Sequence, residues 1–137
     1  MTTKRETRAV PKGEARRVFL KAEEFLAGAS ASRAASRWNA AGLDAIHAGI
    51  AAADAALIAL VGHRSASRDH GDALELLAQA SPAFTAVQRR QFGGLLKMKN
   101  AVAYEQRLLT EVEARKLVDH AVRFVGWAGE VVKKHSG

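Results

Sequence analysis

Between residues 97 and 104 the chain sets two lysines, an asparagine and its only tyrosine: Lys97, Lys99, Asn100 and Tyr104, in the stretch LLKMKNAVAYE. On a helix, Lys97, Asn100 and Tyr104 stand at i, i+3 and i+7 and share one face, with Lys99 about 140° from Tyr104. Such a face offers ammonium donors to a phosphate, an amide to a ribose or base, and a phenol as donor or weak acid. The same residues also describe an ordinary solvated helix end, its tyrosine packed by the ring with the hydroxyl at the surface. Arg89 and Arg90 lie upstream, and residues 88–99 contain no acid, so positive charge gathers on this helix.

A second polar group stands in GHRSASRDHGD, where Arg64, Arg68 and His70 read either as a second anion site or as a turn that fixes helix geometry. His47 falls inside an alanine-rich stretch and reads as a core or interface histidine. His63 and His120 have no partner at metal spacing, and His135 belongs to the tail. No HExxH or His-x-His pair occurs, and the absence of cysteine removes disulfides and thiolate metal sites, so neither a metal nor a cofactor is expected. There is no Walker loop, GxGxxG or GxSxG. A metal or redox enzyme lacks the features it needs.

These residues need elements to hold them. The chain has 137 residues, much alanine and only Pro11 and Pro82 as prolines, which predicts one all-α domain. Residues 1–11 are polar and basic, end at Pro11, and read as a disordered tail ahead of a domain over 12–135. A first helix is expected over 13–29, with Arg16, Arg17 and Lys21 on its solvated side. Ser36 serves as N-cap for a long helix over 37–61, about 40 Å at 1.5 Å per residue. Trp38, Ala41, Ala45, Ala48, Ala52, Ala55 and Ala59 form one stripe of it; Leu43, Ile46, Ile50, Ala53, Leu57 and Leu60 form another. That helix should be central. Gly62 stops it. A short helix follows over 70–79. Ser81-Pro82 reads as cap and N1 proline of a fourth main stretch running to Tyr104, with Gly93-Gly94 as a kink or a close helix contact. TEVE, Thr110 to Glu113, is a capping box for a last amphipathic helix to about residue 134. The expected architecture is an antiparallel bundle of four main helices plus one short one. Its broad alanine faces exceed what one small bundle needs, so a homodimer through helices two and four is expected.

The net charge is +7, concentrated in residues 1–37 and 88–99. A polyanion partner, RNA or a nucleotide, fits that distribution; so does a generally basic protein without one. The basic N-terminus lacks the apolar core of a secretory signal, and no run of roughly 18 apolar residues is apparent, so a cytoplasmic protein with no membrane partner is expected.

Over residues 36–132 the chain resembles the small bacterial HEPN domains, an actinobacterial-type group in particular. The resemblance lies in AAADA, in the RSxxxDH turn and in the LLxxKxxxxYE segment. Many HEPN domains are metal-independent endoribonucleases. Their signature is an arginine, a polar residue such as asparagine and, four to six positions on, a histidine, with two chains pairing so that both signatures meet in one cleft. The resemblance implies that Lys99 stands at the arginine position, Asn100 at the polar one and Tyr104 at the histidine one. Lysine lacks the bidentate fork, and tyrosine, with an unperturbed pKa of about 10, is a weak base at neutral pH. Binding survives these departures better than cleavage does. The expected function is therefore a HEPN-like protein that binds RNA or nucleotides, with cleavage open, in a toxin–antitoxin or defence setting that implies a cognate antitoxin. Arg89, Arg90 and Lys97 would form its electrostatic approach. The rival is a non-catalytic helical interaction module, in which the KNxxxY face pairs helices.

Overall fold

Alanine decides the centre of the molecule. In the computed structural model, which describes residues 6–67, 69–103, 105 and 107–135, helix α2 (Trp38–Val61) buries Ala41, Ala45, Ala48, Ala52, Ala55 and Ala59. A methyl side chain lets neighbouring backbones approach closely, and α1 (Ala15–Ala34) and α6 (Glu111–His135) both pack along α2. By length and composition α2 could cross a bilayer, with mean hydropathy 1.6 over its most apolar stretch, although Asn39, Asp44, His47 and Asp54 interrupt the helix's apolar run. Here most of that stretch is covered by the chain itself. Among the described residues the bundle is all-α apart from one two-stranded ribbon.

The turns explain the boundaries. Helix α1 runs past the expected end at residue 29, because alanine and serine continue a helix where no proline or left-handed glycine stops it. Ser36 is not the N-cap of α2: it adopts φ 58°, and its amide donates to the Arg33 carbonyl at 3.0 Å, so it belongs to the tight turn folding α2 back along α1. Gly62 does end α2, in the left-handed conformation at φ 72°.

Beyond Gly62 the chain turns into strand β2 (His63–Ser65), which pairs antiparallel with β1 (Thr7–Ala9) in the register Thr7↔Ser65, Arg8↔Arg64 and Ala9↔His63. Residues 6–11, read from the sequence as part of a disordered tail, are thus tied down in the fold. The Val10 amide also donates to the Gly62 carbonyl at 2.9 Å.

Helix α3 (Gly71–Ala80) is the expected short helix. The fourth stretch differs. Ser81-Pro82 does not start it; Ser81 Oγ accepts from the Ala83 amide at 3.1 Å in a local turn. Helix α4 (Ala86–Lys97) starts instead at Thr85, whose capping box with Gln88 places the Gln88 Oε1 2.8 Å from the Thr85 amide. Helix α4 runs through Gly93 and Gly94 without interruption. A Cβ at Gly94 would come within 2.9 Å of the His120 ring, so this glycine marks a close approach to α6. The chain breaks at Met98 and resumes as α5 (Lys99–Ala103), a second short helix. The Thr110 capping box of α6 is present as expected: the Glu113 amide donates to Thr110 Oγ1 at 3.1 Å, and the Thr110 amide donates to Glu113 Oε1 at 3.0 Å. Phe92 of α4 stacks on Phe124 of α6 at 4.8 Å, both fully buried, and fixes α4 against the bundle.

Candidate functional site

The start of α3 and the α4–α5 break meet around one small cavity. At α3, Asp69 Oδ1 accepts from the Gly71 amide at 2.9 Å, and the Asp69 amide donates to Ser67 Oγ at 3.1 Å. This turn chemistry sets His70 at the helix entry. On the other side, α5 opens at Lys99 and Asn100 directly after the turn at Met98. Asp69, His70, Gly71, Leu96, Lys99 and Asn100 line about 170 Å³. That is less than the roughly 300–1,000 Å³ of a whole small-molecule site, and suits a phosphate-sized group.

Burial pushes the His70 pKa below its ordinary 6.5; Lys99 and His47 push it the same way, and Asp69 opposes them. His70 is therefore a neutral imidazole at pH 7, able to accept a proton beside an ammonium. The sequence reading had placed His70 with Arg64 and Arg68, apart from Lys99 and Asn100. The structure joins His70 to Lys99 and Asn100 instead. Tyr104 and Arg68 lie outside the described residues.

Lys97 does not line this cavity, although a continuous helix would put it on one face with Asn100. The Met98 break separates them. Lys97 lines a groove of about 560 Å³ between α4 and α6, with Arg89, Arg90, Lys116, Glu113 and His120. Arg89 is held by Glu75 at 2.7 Å, whereas Arg90 forms no ion pair among the described residues. His120 is pushed below its ordinary pKa by burial first, then by Lys116, Arg123 and Arg90, against Asp119. The groove is cationic, with Glu113 its one acid: hydrogen bonding from Arg107 and the Thr110 amide holds the Glu113 pKa down to about 2.

Arg64 lines a third cleft, of about 480 Å³, together with Val18, Lys21 and Phe25 of α1 and His47, Ile50, Ala51 and Asp54 of α2. Burial raises the Asp54 pKa from 3.8 to about 6, against the pull of Arg64 and Lys21. Asp54 escaped the sequence reading. The signal was available: Asp44, His47 and Asp54 are the only ionisable residues within α2, and their spacing puts them on one stripe. Among the described residues, no group of three or more His, Asp or Glu is arranged to hold a metal ion. No protein-family model and no curated protein matches the chain.

Proposed function

We propose that this chain is a HEPN-like protein that binds RNA or a nucleotide by phosphate at the His70–Lys99–Asn100 cavity. One observation carries the reading: two segments far apart in the chain bring an imidazole, an ammonium and an amide around a space of phosphate size. Lys99 would neutralise the phosphate, Asn100 would donate its amide to a non-bridging oxygen, and the cationic α4–α6 groove with Arg90 and Lys97 would draw the polyanion in.

Cleavage is the chemistry such a set supports. Neutral His70 accepts the 2′-hydroxyl proton, the 2′-oxygen attacks phosphorus, and a 2′,3′-cyclic phosphate forms as the 5′-oxygen leaves and takes a proton from water. This gives the imidazole a source that the tyrosine at the signature position does not supply. A homodimer would add a second cavity, and α4 carries an exposed Val87 that could take part in pairing.

The test is incubation with total RNA without metal, for the wild type, Lys99→Ala and His70→Ala. The expected result is salt-sensitive binding weakened at least about tenfold in Lys99→Ala. Cleavage, where seen, disappears in His70→Ala. A wild type that neither binds nor cuts RNA ends this reading and leaves the helical interaction module.

A further inference from the structure

We infer that the cleft between α1 and α2 is a base-reading subsite for guanine, with Asp54 as the residue that selects it. The inference rests on the nucleotide reading above and extends it to a cavity that the phosphate chemistry does not use.

His47, Ala51 and Asp54 stand at i, i+4 and i+7 on α2, so they rise from one face across two turns, about 10.5 Å along the axis. The middle residue is an alanine, which leaves a gap between the imidazole and the carboxylate. Phe25 meets the His47 ring edge-on, with centroids 5.2 Å apart at 69°. Val18 and Ile50 complete apolar walls. The result is a slot with flat, unsaturated surfaces at one end and a carboxylate at the other.

Asp54 accepts no hydrogen bond and forms no ion pair among the described residues, although burial makes its charge costly. A partly desolvated carboxylate without donors is completed by a ligand that brings them. Its two oxygens suit a pair of adjacent donors, and guanine alone among the common bases presents two, N1–H and N2–H, on one edge. Adenine and cytosine pair a donor with an acceptor there, and uracil flanks its one donor with acceptors.

Lys21 and Arg64 close enough to act on Asp54 disfavour a simple cationic ligand and favour one carrying phosphate. Arg64 is braced by donating to its neighbour's carbonyl, Ser65 O, at 3.1 Å. His47 of this cleft also acts electrostatically on His70, though weakly beside burial and Lys99.

The experiment compares GMP, IMP and AMP by calorimetry, with His47 followed by its imidazole NMR signals. The three share a phosphate, so their differences report the base. The expected order is GMP, then IMP, which lacks the 2-amino donor, then AMP, with GMP at least about tenfold tighter than AMP. Asp54→Asn, of the same shape, abolishes the preference. Lys21→Ala, an exposed change, weakens all three alike and keeps it. Equal affinities in the wild type, no detectable binding, or a preference that persists in Asp54→Asn each overturn the inference. Lys99→Ala should keep the GMP preference while weakening RNA binding, so the cleft and the phosphate cavity fail or stand separately.

Discussion

His70 at the entry to α3 and Lys99 at the start of α5 line the same cavity, and the lysine charge helps hold the imidazole neutral. The consequence is measurable without any ligand. In Lys99→Gln the His70 pKa should rise, because one of the cations opposing protonation is gone. It should stay below 6.5, since burial is the larger cause and remains. An NMR titration of the His70 ring reads this directly. An unmoved pKa would mean that the two side chains do not share an environment in solution.

The α4–α6 groove separates two adjacent arginines by their partners. Arg89 is engaged by Glu75 at 2.7 Å and leans toward the Phe84 ring, while Arg90 lacks an ion pair among the described residues. Arg90→Ala should therefore lower the slope of log K against log salt for RNA by about one unit, the contribution of one phosphate contact. Arg89→Ala should change it less. Equal slopes for both variants would show that the Glu75 pair opens on binding or that the groove is not used.

What the sequence made legible was chemistry written locally. The alanine stripes predicted α2 as the central helix, Gly62 its end, and Thr110 with Glu113 the start of α6. Each depends on residues within a turn or two of one another. What stayed hidden depended on competition or on distance. Ser81-Pro82 and Thr85-Gln88 both spell a helix start, and only the second builds the reciprocal box. Nothing at the break itself marks it, since Met98 and the flanking Lys97 and Lys99 are all good helix formers. The pairing of β1 with β2 joins residues from opposite sides of α1 and α2. The same distance hid the convergence of His70 with Lys99 and left Asp54 unnoticed.

The competing caps give a direct test. Thr85→Ala removes the acceptor of the Val87 amide and breaks the box with Gln88, and should cost about 1 kcal/mol, lowering Tm by a few degrees. Pro82→Ala should cost less, because Pro82 precedes the helix rather than opening it. Thermal unfolding by circular dichroism distinguishes them. The reverse order would return the start of α4 to residue 82.

Asp54 makes stability depend on pH in a direction opposite to most carboxylates. Its folded pKa, about 6, lies above the ordinary 3.8, so between those values the folded chain holds a proton that the unfolded chain has released. Stability from this group is full below pH 4 and falls as pH rises toward 6, then stays level. The cleft groups facing it are Lys21, Arg64 and His47; the two cations limit the shift without cancelling the burial cost. His70 and His120 act the other way, since their lowered pKa values withdraw stability as pH falls below their ordinary 6.5. The difference between wild type and Asp54→Asn isolates the carboxylate from both histidines. Asp54→Asn should be the more stable protein at pH 7.5, by on the order of 2 kcal/mol, and the gap should close as pH falls to 4. Urea unfolding across that range measures it. A gap that widens toward pH 4 would mean that Asp54 is paired and charged in the folded chain, and the donor-seeking carboxylate of the α1–α2 cleft would go with it.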